Sequence, residues 1–347
     1  MSSQTHPVLA RIGQTFVSLI LICAMIWGSF ALWYQFPSTE LGKEISILIF
    51  LGFASFTLIQ LWRKNTTWQS LIVFSLVFIG LLGWWSTIKP SNQRVWADDT
   101  AQMVHADVNG NQVTLTHVRN FTWRSATQYD ARWETRQYNL NQLVSADLIL
   151  SYWMGPKIAH TLVSFGFKDE QNQVSHVVFS FEIRKERHES FSAIGGFFRK
   201  FETIMIAADE RDIVRVRTNI RGEQVYLYRL HVPQKDLRLM FLNYANEANF
   251  LANEPTFYNT LIGNCTTIVY DLAKMISPTL PLDYRLILSG YLDEYAYDIH
   301  LLTPNYSIQT LQKQGFINAR AIAAGDDPQF SELIRKDIPG VDKTVKK

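Results

Sequence analysis

Three long apolar runs open the chain, and shorter alternating runs follow them. Residues 12–36, 45–62 and 70–88 contain no Asp, Glu, Lys or Arg. Crossing a hydrocarbon core of about 30 Å takes about 20 helical residues at roughly 1.5 Å each. Each run therefore predicts a membrane-spanning helix, over about 14–36, 45–62 and 70–88. Trp33, Tyr34, Phe36, Trp62, Trp84 and Trp85 sit at the run ends, where an interfacial aromatic belt belongs. No A-x-A-like site follows the first run, and Ile22 precedes Cys23 where a lipoprotein signal needs a small residue, so the run reads as retained.

Beyond Ser91 the period changes. Gln112–Arg119, Leu148–Trp153, Ile158–Phe167, Val174–Arg184, Ile213–Thr218 and Gln224–Leu230 alternate or are rich in β-formers, and predict strands. The polar stretch Lys168–Gln173 separates two of them and predicts a hairpin turn. After Pro233, Leu237, Met240, Phe241, Tyr244, Ala248 and Leu251 fall on one helical stripe. A second helix starts at Cys265 with Asn264 as its N-cap, and Ile268, Leu272, Met275 and Ile276 as its buried face. Strands come first and helices after, which predicts an α+β domain over 91–340 and a frayed tail over 341–347.

Composition explains itself once the apolar runs are set apart. The chain is 18% charged, against roughly 25% for a soluble domain, and the shortfall lies in those runs. A purely cytosolic enzyme, a disordered chain, a porin-like barrel and a polytopic transporter are thereby excluded. A net charge of +2 gives no warrant for nucleic-acid binding. Arg11 before the first run, and Arg63 and Lys64 between the second and third, place those segments in the cytoplasm by the positive-inside rule. The large domain then falls on the far side, the periplasm of a Gram-negative cell. We read no cofactor need: Cys-x-x-Cys, His-Glu-x-x-His and a glycine-rich phosphate loop are all missing from the sequence.

Two cysteines are present, and if the topology holds Cys23 in the first helix cannot meet Cys265. A lone exported thiol is commonly a small buried hydrophobe. Here, however, Asn264-Cys265-Thr266-Thr267 opens a helix, where the dipole and free N–H groups favour thiolate and can hold an oxyanion. A cysteine nucleophile needs a base and something to orient it. Of eight histidines, His160 follows Gly155-Pro156-Lys157 within a β-run. If that run pairs with Val174–Arg184 about a turn near Gln171, His160 lies opposite Phe181–Glu182, and Ser180, Glu182 and Arg184 share a face. Glu182 in an apolar strand is costly unless paired. It either makes a structural ion pair with an arginine such as Arg184, or orients His160. Arg215, Arg217, Arg221 and Arg285 read as solvated or anion-binding. Trp123, Trp133, Tyr152 and Trp153 read as core or as an acyl groove.

The order His on a strand, carboxylate on the next, then Asn-Cys opening a helix resembles a permuted NlpC/P60-like (papain-like) domain. More specifically, residues 95–325 resemble the DUF4105 family, the Lnb N-terminal periplasmic domain. The resemblance rests on Val118-Arg119-Asn120-Phe121-Thr122-Trp123-Arg124, Leu148-Ile149-Leu150-Ser151-Tyr152-Trp153, Ile158-Ala159-His160-Thr161 and Phe181-Glu182-Ile183-Arg184-Lys185-Glu186. It continues through Ala208-Asp209-Glu210-Arg211-Asp212, Tyr258-Asn259-Thr260, Asn264-Cys265-Thr266-Thr267 and Leu288-Ser289-Gly290-Tyr291-Leu292. It implies a membrane-anchored acyltransferase that N-acylates the amino-terminal cysteine of a lipoprotein through a thioester, with membrane lipid or the lipoprotein's own glyceride as donor. Cys265, His160 and Glu182 carry over as catalytic; Asn264, Thr266, Tyr258 and Arg184 are the candidate substrate or oxyanion contacts. A cysteine amidase or peptidase, and a non-catalytic binding module, are the alternatives.

Overall fold

The computed structural model describes residues 7–63 and 67–341; Lys64 and the tail beyond Val341 lie outside them. The chain divides into two compact units, Met1–Ser91 with Ser192–Lys200, and Asn92–Phe191 with Phe201–Lys347.

The first unit holds α1 (Pro7–Gln35), α2 (Glu40–Trp62) and α3 (Thr67–Thr87). All three are long and apolar enough to cross a membrane. Their lipid-compatible faces are exposed, while Leu21, Ala24, Leu32, Phe50, Ala54, Leu61 and Phe74 are buried between them. Gly28 lets the Phe50 ring approach the α1 backbone more closely than any side chain would allow. Thr39 caps α2 by accepting from the Gly42 N–H.

A boundary expected near residue 91 is thus incomplete, because the short segment Ser192–Lys200 also belongs to this unit. Phe198 packs with Trp27, Phe30, Tyr34 and Trp85. Arg199 donates to the carbonyls of Trp85 and Ile88, at the C-terminal end of α3. The Ile88 N–H already reaches the Trp85 carbonyl, and the guanidinium adds a second donor there while opposing the negative end of the helix dipole. Gln35 at the end of α1 donates to the carbonyls of Phe198 and Arg199.

The second unit is built on a sheet. Its strands are β1 (His105–Asn109), β2 (Gln112–Arg119), β5 (Trp133–Asn139), β6 (Leu143–Tyr152), β7 (Ala159–Lys168), β8 (Val174–Arg184), β9 (Glu202–Ala208) and β10 (Gln224–Arg229). The order across it is β1-β2-β9-β8-β7-β6-β10, with β5 also on β2; β3 (Thr122–Trp123) and β4 (Tyr129–Asp130) form a separate ribbon. One face packs under α5 (Gln234–Asn253) and α6 (Cys265–Ile276), where Phe165, Phe179, Phe241 and Tyr244 interlock edge to face. The other face is covered by α4 (Glu210–Arg215) and, after α7 (Leu292–Asp298) and α8 (Ile308–Gly315), by α9 (Asn318–Ala324) and α10 (Phe330–Ile334).

Ile213–Thr218 is not a strand. Asp209 caps α4 by accepting from the Arg211 N–H, and the chain runs on through a π turn at Val216–Ile220. The alternation of Val and Arg there reflects a short helix buried on more than one side, not a pleat. On α6, Leu272 is buried as expected and Ile268 and Ile276 are half-buried against the core, whereas Met275 is exposed and Tyr270 is buried. The remaining stripe of α5 is as expected, with Leu237, Met240, Phe241, Tyr244, Ala248 and Leu251 all buried.

Candidate active site

The hairpin β7–β8 turns about Gln171, and its register pairs Leu162 with Ser180. There the ladder stops. β7 runs back to Ala159 on β6, and β8 runs on to Arg184 on β9, so the sheet splits between them. The N-terminus of α6 fills the split: the Thr266 hydroxyl meets that of Thr161 at 3.0 Å, and the Thr161 backbone N–H donates to the Cys265 sulfur. A strand edge left open is usually a liability; here it hands one backbone donor to a thiol.

His160 lies at the mouth of the same split. Its Nε2 stands 2.7 Å from the Ser180 hydroxyl and 3.2 Å from Glu182 Oε1. Ser180 donates its proton to Glu182 at 2.8 Å, so its oxygen accepts from His160 Nε2–H. That fixes the hydrogen on Nε2 and leaves Nδ1 as the ring's other basic nitrogen, with Cys265 as a charged neighbour. Arg217 donates to the same Glu182 oxygen at 2.7 Å and is itself held by the Ile213 carbonyl at 3.0 Å. The carboxylate is therefore paired on both sides, as a buried charge must be.

Electrostatics follow from this packing. Burial alone would push the imidazolium pKa down, but the Glu182 and Cys265 charges, with hydrogen bonds to both, raise it to about 9. Burial would likewise raise the thiol, but the His160 charge and the donors around sulfur outweigh it and hold it below its ordinary value. Glu182 stays ionised despite burial, well below the usual range, because His160 and Arg217 face it. Both shifts favour the thiolate–imidazolium form of the pair.

The other expected site residues divide. Asn264 is a helix cap: its Oδ1 accepts from the N–H groups of Thr266 and Thr267, and its Nδ2 donates to the Thr260 carbonyl. Its side chain is thereby engaged and is not an oxyanion donor. Its effect is indirect, because it takes two of the first-turn donors and leaves that of Cys265 as the helix-end N–H beside the sulfur. Thr266 sits at the sulfur, 3.9 Å away. Tyr258 is close as well: burial, then the charges of Cys265 and Glu182, raise its hydroxyl pKa. Arg184 is a correction. Its guanidinium bonds the carbonyls of Thr100 and Ala101 and the Asn92 side chain, and lies 4.4 Å over Trp96. It is a structural clamp one alternation beyond Glu182 and does not reach the thiol's partners.

Ser180, Ser289 and Gly290 matter and were not singled out as site residues, and Arg217, read as solvated or anion-binding, holds the Glu182 carboxylate. Ser180 was visible in principle, two residues from Glu182 on one strand face. Arg217 was hidden by the strand reading of its segment. Ser289 accepts the Ala159 N–H on its hydroxyl, while Gly290 bonds the Lys157 carbonyl and accepts the Tyr152 hydroxyl on its own. A Cβ on Gly290 would collide with the backbone of Pro156 and Lys157. The Leu288–Leu292 motif thus pins the start of β7, directly before His160.

Residues 129–290 match the family described as the Lnb N-terminal periplasmic domain, the family that the sequence motifs resemble. The matched span contains His160, Ser180, Glu182, Arg217 and Cys265. No curated protein and no solved structure matches the chain.

Proposed function

We propose that this protein is a membrane-anchored cysteine acyltransferase that N-acylates the amino-terminal cysteine of bacterial lipoproteins, on a permuted papain-like scaffold. The observation that carries the reading is the placement of Cys265 at a helix N-terminus beside His160, whose ring is oriented by Ser180 and Glu182, inside the span that matches the family. The helices anchor it in the inner membrane with the N-terminus cytoplasmic and the domain periplasmic. Membrane anchoring supports a lipid-borne donor, since tethering raises its effective concentration at the site.

The chemistry runs in two halves. The Cys265 thiolate attacks the carbonyl carbon of an acyl ester, forming a C–S bond; the tetrahedral oxyanion faces the Cys265 N–H at the helix end. Collapse breaks the ester C–O bond, and the Nδ1 proton of His160 goes to the departing alkoxide. In the thioester the sulfur charge is gone, which leaves Nδ1 a free base. The lipoprotein α-amine attacks the thioester, His160 Nδ1 takes the amine proton, and the C–S bond breaks to release thiolate and an amide. Imidazolium and thiolate are then restored.

The test is rescue of a strain depleted of its own lipoprotein N-acyltransferase, with mass spectrometry of a lipoprotein N-terminus. Wild type restores an amide-linked acyl chain on the N-terminal cysteine; Cys265→Ala and His160→Ala do not. Undiminished rescue by Cys265→Ala would remove the nucleophile. Accumulated hydrolysis product without the amide would assign the site to an amidase instead.

A further inference from the structure

Five loop ends meet at the end of the sheet that carries His160: those leaving β6 and β8 and those entering β7, β9 and β10. The loop before Cys265 joins them, since Phe257 bridges to Glu202 and Tyr258 donates to the Phe201 carbonyl. These loops are unusually apolar at their tips. Ile262 is 79% exposed, Met154 55%, Phe191 49%, Leu261 45% and Trp153 44%. Leu261 and Ile262 stand in a tight turn closed by Asn259 and Gly263, three to four residues from the nucleophile. Trp153 and Met154 lead into β7, and Phe191 packs on the Trp153 ring at 5.2 Å. The opposite end of the β7–β8 hairpin is Lys168-Asp169-Glu170-Gln171-Asn172-Gln173, with no apolar residue at all.

We propose that these five side chains form a rim that inserts into the lipid leaflet and that the acyl donor enters from the bilayer, between Leu261-Ile262 and Trp153-Met154. This deepens the acyltransferase reading and rests on it for the identity of the passenger. Exposed bulky apolar tips rimmed by polar sequence mark a protein or membrane contact, and this chain makes the bilayer the partner at hand. α3 ends at Thr87, and the sheet-bearing unit begins at Asn92. The connection from β8 to β9, which leaves the sheet at the same end, contains the Ser192–Lys200 segment that packs on the membrane helices. Both covalent routes to the membrane helices are short, so the bilayer is the apolar partner to which this domain is tethered.

The experiment uses the full chain in nanodiscs of phosphatidylethanolamine and phosphatidylglycerol carrying a doxyl-labelled acyl chain. In a Cys23→Ser, Cys265→Ala background, an Ile262→Cys variant is labelled with a nitrobenzoxadiazole dye, and a Val174→Cys variant serves as the far-end control. The proposal expects several-fold stronger doxyl quenching at position 262 than at position 174. Equal, weak quenching at both overturns it. Because that background lacks the nucleophile, the readout is independent of catalysis. A second arm keeps Cys265 and replaces Ile262 with Asp. Acylation from lipid should fall at least tenfold while alkylation of Cys265 by iodoacetamide is unchanged. Unchanged acylation overturns the rim. If alkylation falls too, Leu261→Asp and Met154→Asp are read in its place by the same criteria. Quenching without any acylation by the wild type would fault the acyltransferase reading and leave the rim standing.

Discussion

Two histidines lie on the same face of neighbouring strands and titrate in opposite directions. His160 on β7 faces Glu182 through Ser180, and its imidazolium is held to about 9. His176 on β8 is buried too, with both ring nitrogens lacking a hydrogen-bond partner. Burial, then the positive charge of Arg335, lowers it to about 4. Carboxylates are near it as well, but Asp147 and Glu210 are already taken up by Arg335, Arg229 and Ser164. What separates a base from a packing residue is therefore neither burial nor proximity to an acid. It is whether the acid has hydrogen-bonding capacity directed at the ring. Glu182 does, and the saturated Asp147–Glu210–Arg335 cluster does not.

The largest effect that tests this contrast is on the thiol. Replacing His160 with Ala should return Cys265 toward an ordinary or raised pKa and cut iodoacetamide alkylation near pH 6 by about a thousandfold, a loss on the order of 4 kcal/mol. His176→Leu should leave that rate unchanged. Equal loss in both variants would dissolve the distinction.

Next comes the stability side of the same contrast. The native state keeps His176 neutral down to about 4, whereas the unfolded chain takes up that proton near 6.5. Between those values the unfolded state binds more protons, so stability falls as pH falls through this window. The full window corresponds to a loss of up to about 3 kcal/mol. Urea titration of the full chain in detergent, followed by near-UV circular dichroism, should show a shallower loss between pH 7 and pH 4.5 in His176→Leu than in wild type. Parallel slopes would mean that His176 is not buried neutral.

How much of this was legible in the sequence depends on how local the signal was. The β7–β8 hairpin followed from alternation on either side of a polar turn, and its centre at Gln171 set His160 opposite Glu182. Asn264 and Cys265 were legible because a helix cap is written in adjacent residues. β9 was not, because all seven of its residues are buried, and its apolar stretch from Ile204 to Ala208 carries no period-two signature. Arg217 was misplaced for a related reason: its segment alternates Val and Arg, yet a π turn aims the guanidinium at Glu182. The split between β7 and β8 had no local signature at all, since it arises from α6 packing between strands more than 80 residues earlier in the chain. The Ala208–Asp212 motif reads differently with the structure in hand. Asp212 accepts from Arg119, the Phe121 N–H and Trp123, and thereby locks the Val118–Arg124 motif rather than serving the thiol.

The charge on Glu182 should matter less than the ring it holds. Glu182→Gln keeps an acceptor for Ser180 but removes the leading source of the His160 shift, so the alkaline limb of Cys265 alkylation should move below 9. Acylation should fall about thirtyfold, near 2 kcal/mol. An unchanged limb would show that the carboxylate does not set the imidazolium.

The smallest expected effect belongs to the hydroxyl between them. Ser180→Ala removes the relay from His160 Nε2 to Glu182, but their direct approach at 3.2 Å survives and the carboxylate keeps Arg217. The imidazolium therefore retains its charge partner and loses one neutral hydrogen bond, about 1 kcal/mol or a fivefold drop in acylation. The pH dependence should stay where it is in wild type, because charge, not the hydroxyl, sets it. A drop as large as that of Glu182→Gln, with the alkaline limb shifted, would make Ser180 the true partner of the ring. The contrast with His176 would then rest on a hydroxyl rather than on a carboxylate.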